Sequence, residues 1–213
     1  MQIKNKDCDF MNKRRKKLIE QYYQNKIENI ELLIDNVWDP HNVSAVARTA
    51  DGLGIRTINL YYTYNEFPKL NKVGKKTSAS ANKWMNFVKV TNLLEFAVQK
   101  KSEGFQFFAA DIGPTAHLLN HFCFPDKCII IMGSESSGMS TELKEICDGM
   151  IYIPMAGMVA SYNISVAAAI ILYEVFRQKG HTLCLRSGDD FHNNRNQAKR
   201  QKNAHHANVS EGE

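Results

Sequence analysis

A chain of 213 residues with 44% hydrophobic and 23% charged residues has room for one self-sufficient core plus extensions. Its longest apolar-rich stretch, "ISVAAAIILYEVF", is shorter than the ~20 residues of a membrane span, and its charged start lacks the apolar region of a signal peptide, so a cytoplasmic protein without a membrane anchor is expected. The net charge is +5, and the five cysteines, at 8, 123, 128, 147 and 184, are odd in number and form no C-x-x-C, which excludes a disulfide framework and implies free thiols.

Residues 12–26 read as a basic helix. The first 17 residues carry seven Lys or Arg against two Asp, an excess equal to that of the whole chain. The block "KRRKK" cannot be packed in a core. Charge alone leaves two readings: a solvated helix face or tail, or an arm that binds a polyanion by releasing its counterions. "IELLIDNV" (30–37) has the β-branched content of a strand. "HNVSAVARTADGLG" (41–54) places apolar or small residues at helical spacing and closes on Gly52 and Gly54. "RTINLYY" is a strand. Residues 71–87 are polar and basic with Gly and Ser, and read as a long surface loop. "NLLEFAVQKKSEG" is an amphipathic helix with a glycine stop. "FQFFAA", "KCIIIMG" and "MIYIPM" are strands, and Ser140 stands where it can N-cap a helix over "TELKEIC". "NISVAAAIILYEVFRQKG" is a long helix, and the last 25 or so residues have almost nothing to bury and are expected to be disordered.

This order predicts an α/β fold: a mostly parallel sheet with helices on both faces, because strands such as "CIIIM" are apolar on both sides. The predicted division is an N-terminal extension over 1–28, one domain over 29–180 and a C-terminal extension over 181–213. Ligands of open parallel sheets sit beyond the carboxyl ends of strands. That rule nominates the loops 36–48, 133–139 and 154–163.

The loop "IIIMGSESSGMS" (129–140) has the glycine spacing of a phosphate-binding P-loop, G-x-x-x-x-G-K-[ST]. Met139 stands in place of its lysine, and Glu135 would put a carboxylate among amides meant for phosphate, a repulsive arrangement. A dinucleotide site needs G-x-G-x-x-G after a strand, and no such run occurs. A serine-hydrolase elbow fails as well, because Glu135 occupies the nucleophile position. His117, His121 and Cys123 are spaced like ligands on a helix turn, but no second cluster accompanies them, so no metal is expected. Arg48 on an otherwise small and apolar helix wants an anionic or carbonyl partner, either a substrate group or an internal acid such as Glu135. Ser161 and Asn163 lead into the last helix, and either could cap it while also serving a site. Ala167, Ala168 and Ala169 suit close packing against another element or a second subunit.

Three segments together resemble the SPOUT (α/β-knot) RNA methyltransferases, and within them the TrmH group. They are the Asn42–Arg48 pair in "NVSAVARTAD", the Gly133-x-Glu135-x-x-Gly138 loop, and "IPMAGMVASYNISVA" with Ser161 and Asn163. "TSASANKWM" also looks like a segment of the tRNA-modifying members. The resemblance covers roughly residues 12–180. It implies a C-terminal trefoil knot, which general rules of chain topology argue against. It also implies a homodimer and S-adenosylmethionine as cofactor. The cofactor contacts implied are Ala110, Gly133, Ile153 and Tyr162, where Tyr162 departs from the usual Leu. Arg48 would bind a phosphate or the developing oxyanion, Asn42 and Asn163 would position the ribose or the arginine, Ser161 would hold the loop backbone, and Glu135 would orient Arg48. The expected reaction is 2′-O-methylation of tRNA, at guanosine-18 of the D-loop. Ribosomal RNA and a non-catalytic RNA-binding role are the alternatives. The short stretch ahead of the first strand favours tRNA. Lys13, Arg14, Arg15, Lys16 and Lys17, with Lys72, Lys75, Lys76 and Lys83, would grip RNA phosphates.

Overall fold

Every strand pairing in the sheet is parallel, as strands apolar on both faces require. The computed structural model describes residues 13–24, 26–68, 84–134 and 138–179. In chain order the elements are α1 (Lys13–Gln24), β1 (Ile27–Asp35), α2 (Pro40–Gly52), β2 (Ile55–Tyr61), β3 (Asn86–Val90), α3 (Leu93–Ser102), β4 (Gln106–Ala110), β5 (His117–Leu118), β6 (Cys128–Met132), α4 (Thr141–Ile146), β7 (Gly149–Tyr152) and α5 (Ile164–Lys179). The sheet order is β3-β2-β1-β6-β4-β7-β5. β1 and β6 are central neighbours, and the chain leaves them toward opposite edges, β1 to β2 and β6 past β4 to β7. The chain divides into a unit over Lys26–Thr182 and a second one of Met1–Asn25 with Leu183–Glu213, of which α1 is the described part. The disorder expected of the C-terminal tail falls outside the described residues.

On one face of the sheet Leu33, Phe107, Ala109, Ile129 and Ile131 meet Leu93 and Ala97 of α3 and Leu143 of α4. The two-residue period sends Leu32, Ile34 and Ile130 to the opposite face, where they are also fully buried. α2 packs on β2, and α5 packs on α2. α5 buries Ile164, Ala168, Ile171, Leu172 and Val175, one stripe of a 3.6-residue period. Each fully buried Leu or Ile contributes roughly 1.5–3 kcal/mol, so the two-sided sheet is the main source of stability.

Several expectations need correction. Residues 71–87 do not end as a loop: Asn86 and Phe87 open β3, which pairs with β2 alone. An edge strand buries little, so "NFVKV" lacks the apolar run that marks the central strands. "HLLNHFC" is not a helix turn. His117 and Leu118 form the short edge strand β5, and Leu119–His121 make a single 3-10 turn. β1 starts at Ile27, with a register irregularity between Ile27 and Glu31. Ser140 holds the N-cap position of α4 without a side-chain cap bond. Its amide donates instead to Asp35 Oδ2 at 2.8 Å.

The two glycines of "GSESSG" have separate physical causes. The Ser134 amide donates to the Gly138 carbonyl at 3.0 Å, and the Gly138 amide returns the bond to Ser134 at 2.9 Å. Gly138 closes this loop at φ 67, in the left-handed region open to glycine. Gly133 lies so close to the returning chain that a Cβ there would sit 2.8 Å from Gly138 C and 2.8 Å from Met139 N. Both atoms are backbone and cannot swing aside. Gly133→Ala is therefore expected to cost roughly 2–4 kcal/mol and lower the melting temperature by about 5–15 °C, checked by calorimetry. A variant melting with the parent would show that the loop relaxes freely.

Among the described cysteines, Cys123 is exposed and Cys128 buried at the start of β6. Burial pushes the Cys128 thiol up to about 12, with only slight relief from Lys179. Its thiolate fraction at pH 8 is then on the order of one part in ten thousand. Iodoacetamide at pH 8 is expected to label Cys123 in the folded protein and Cys128 only after denaturation, as read by peptide mass spectrometry. Equal labelling rates would contradict this burial.

Candidate active site

A cavity of about 220 Å³ opens at the carboxyl ends of β4, β6 and β7. Ala110 and Met132 end β4 and β6, and with Ile151 and Tyr152 at the end of β7 they form its base. Ser134, Gly138 and Met139 supply one wall, and the 153–162 segment supplies another. Ala110, Gly133, Ile153 and Tyr162, the four residues nominated for the cofactor, all line this one cavity. Ser161 lines it as well.

The lining chemistry discriminates between ligands. Among the described residues it contains methionines, aliphatic side chains and the carboxylate of Asp111, with no lysine or arginine. Met139, at the P-loop lysine position, is 7% exposed and belongs to the apolar core. The Ser134 and Gly138 amides are consumed by each other's carbonyls, so they are not offered to a phosphate. A nucleoside triphosphate would find no counter-charge among these groups. A phosphate-free nucleoside bearing a cationic sulfonium fits the donor set: apolar walls for the base, backbone for its edges and one carboxylate for hydroxyl or ammonium groups.

Asp35 and Asn36 are both fully buried at the end of β1, the strand that pairs with β6. Asn36 has φ 49, a left-handed conformation that Asn tolerates better than most residues. Its Oδ1 accepts from the amides of Thr63 (2.9 Å), Tyr64 (3.2 Å) and Asn65 (3.3 Å). Its Nδ2 donates to Asp35 Oδ1 at 2.7 Å and to Thr63 Oγ1 at 3.0 Å. The second Asp35 oxygen receives the Ser140 amide. This Asp–Asn pair thus ties the loop after β1 to the loop after β2 and to the end of the Gly133 loop. Burial, with the Asp35 charge second, pushes the Tyr62 phenol well above its ordinary range, so Tyr62 stays a neutral donor, to the Val37 carbonyl at 2.9 Å.

Two of the nominated polar residues, Asn42 and Asn163, meet across the chain. Asp39 caps α2, accepting from the His41 amide at 2.8 Å, and Pro40 opens the helix, which puts Asn42 in its first turn. Asn163 Nδ2 donates to Asn42 Oδ1 at 3.2 Å, joining residues 121 positions apart. Asn163 Oδ1 accepts from the Ser165 amide at 2.9 Å, so it also caps α5. One side chain thus caps α5 and bonds the first turn of α2. Arg48 is exposed further along α2 and lines a neighbouring groove with Pro154 and Tyr173; Ile153 lines both groove and cavity. Glu135 lies outside the described residues, as do Lys72, Lys75, Lys76 and Lys83. Lys13, Arg14, Arg15, Lys16 and Lys17 fill the first five positions of α1. Among the described residues no group of three or more His, Cys, Asp or Glu could hold a metal, and no helix is long and apolar enough to cross a membrane.

Sequence reasoning missed Asp35, Asn36 and Asp111. All three directly follow or end apolar strands at their carboxyl edge, and that position is the signal that would have found them.

Known proteins agree with this geometry. Residues 29–173 match the SpoU rRNA methylase family. The tRNA (guanosine(18)-2′-O)-methyltransferase of Aquifex aeolicus is 33% identical over 166 residues, which is 78% of this chain and 77% of that protein. The 23S rRNA (guanosine-2′-O-)-methyltransferase RlmB of Yersinia pestis is 34% identical over 168 residues, covering 75% of this chain and 67% of the other. The crystal structure of the A. aeolicus TrmH/SpoU tRNA modifying enzyme superposes with a TM-score of 0.72 at 30% identity, over 82% of this chain and 89% of that one. The chain belongs to the SpoU rRNA methylase family, in the TrmH group of RNA 2′-O-methyltransferases whose three motifs it carries.

Proposed function

We propose that this protein methylates the ribose 2′-hydroxyl of guanosine-18 in the tRNA D-loop with S-adenosylmethionine, as a homodimer whose 153–163 segment is threaded through a trefoil knot. The observation that carries the reading is that Ala110, Gly133, Ile153, Ser161 and Tyr162 line one cavity, while Asn163, between the lining residues Tyr162 and Ile164, bonds Asn42. The cofactor, when bound, supplies an already activated methyl group. What remains for the chain is orientation and charge. Asn42 and Asn163 hold each other and present amide groups to a ribose. The planar Arg48 guanidinium serves as a fixed cation for a phosphate or for the developing 2′-oxyanion, and lowers the hydroxyl pKa. Glu135 would orient Arg48. The groove beside Arg48, with Ala169, Ile170 and Tyr173 of α5, supports a second copy as the covering surface.

The basic block of α1 supports an RNA substrate. Five cations occupy the helix start, with no acid in the first turn. The macrodipole disfavours cations there, by about 0.3–1 kcal/mol each at low salt, so helix stability does not explain them. Phosphates would. A second reading, methylation of 23S rRNA, is favoured by the 34% identity to RlmB.

Bulk tRNA and 23S rRNA offered with labelled cofactor separate these readings. Label is expected at a guanosine ribose of the tRNA D-loop; label confined to rRNA would replace the tRNA assignment. Arg48→Ala is expected to retain fold and cofactor affinity and to lose about 10²–10³-fold in kcat, as for removal of an oxyanion-stabilising group. Near-parent turnover would remove Arg48 from the mechanism. Deleting residues 1–17 is expected to weaken tRNA binding and to flatten log Kd against log salt by about 0.7–0.9 for each phosphate no longer neutralised. An unchanged slope would assign the block no phosphates.

A further inference from the structure

We propose that Trp38 is a stacking platform for an unpaired nucleobase of the RNA substrate, an inference that rests on the RNA-methylation reading above. Trp38 is 78% exposed, although the residues just before it, Asp35, Asn36 and Val37, are at most 1% exposed. Its backbone is pinned on both sides. The Val37 carbonyl accepts the Tyr62 hydroxyl, and Asp39 caps α2. The loop is therefore anchored from below while the indole faces outward.

A second segment with aromatic residues is tied to the same loop. Asn36 accepts the amides of Thr63, Tyr64 and Asn65, which brings the segment after β2 beside the segment after β1. That segment exposes Tyr64 (59%) and Phe67 (36%), and Lys89 Nζ stands 5.3 Å from the Phe67 ring centroid. The segment after β2 thus carries two exposed rings and a neighbouring cation. Its place matters equally: Trp38 precedes Asn42 by four residues, on the same loop-to-helix segment, and Asn42 bonds Asn163, which stands between the cavity-lining residues Tyr162 and Ile164.

A ribose whose 2′-hydroxyl is to be methylated must be lifted from its helical surroundings. Its base or a neighbour then loses a stacking partner. Aromatic side chains replace that partner with little regard to sequence, and cations alongside favour the phosphate-bearing strand. A base has a flat apolar face and a polar edge, which matches a single presented indole between polar loop atoms. A protein partner would need a broader continuous apolar surface.

The test uses the full chain. The protein has two tryptophans, so in a Trp84→Phe background emission reports Trp38 alone. A ten-nucleotide single-stranded RNA is expected to quench that emission, and heparin, a polyanion without bases, is not. Trp38→Ala is expected to raise the KM for tRNA about tenfold to a hundredfold with cofactor affinity unchanged, and Trp38→Phe to recover most of the loss. Absence of quenching, equal quenching by heparin, or an unchanged KM would overturn the proposal. So would dissociation of the Trp38→Ala protein to a monomer, which would make the indole a subunit contact. Quenching needs no turnover: methylation without quenching sinks the stacking platform alone, and quenching without methylation sinks the reaction assignment alone.

Discussion

The buried Asp35–Asn36 pair is the interaction on which the site depends. A carboxylate removed from water is costly unless its oxygens are hydrogen-bonded. Asp35 meets that condition with the Asn36 amide on one oxygen and the Ser140 amide on the other. Because those donors belong to different loops, satisfying the charge fixes their relative positions. Asn36 extends the constraint to three successive amides after β2. The carboxyl edge of β1, the rim of β2 and the return of the Gly133 loop are therefore set by one hydrogen-bonded centre.

The Gly133 loop shows how one glycine spacing can serve opposite chemistries. In a P-loop, amides and a lysine converge on phosphate. Here the Ser134 and Gly138 amides close the loop on itself, and Met139 joins the core. The glycines persist because the chain turns back immediately after β6 and passes within contact of its own backbone. The spacing reports a tight turn, and ligand charge is decided by what fills the remaining positions. With no cation among the described lining residues and Asp111 present, the cavity favours a ligand without phosphate.

Helix starts do double duty around this cavity. Asp39 and Asn163 cap α2 and α5. The two helices pack on each other, so their first turns lie together and Asn42 reaches Asn163. The small residues of α5 permit that approach. The same packing carries Arg48 to an adjoining groove that shares Ile153 with the cavity.

Runs such as "CIIIM" and "IELLI" announce buried parallel strands because a strand covered on both faces must be apolar throughout, and the stripe of α5 follows from its period for the same reason. The three motifs carried the family, and the resemblance they support named Ala110, Gly133, Ile153 and Tyr162, all of which line the cavity. The edge strands β3 and β5 escaped notice because a strand paired on one side buries little and has no strong pattern. Asp35 and Asn36 read as the end of a strand; only the parallel register brings Ser140 and the loop after β2 to them. Ser140 likewise looks like a capping side chain, and it is the arrival of Asp35 from 105 residues away that turns its backbone into the donor. Local chemistry is written in neighbouring residues, whereas a hydrogen bond between distant loops exists only once the sheet has set their distance.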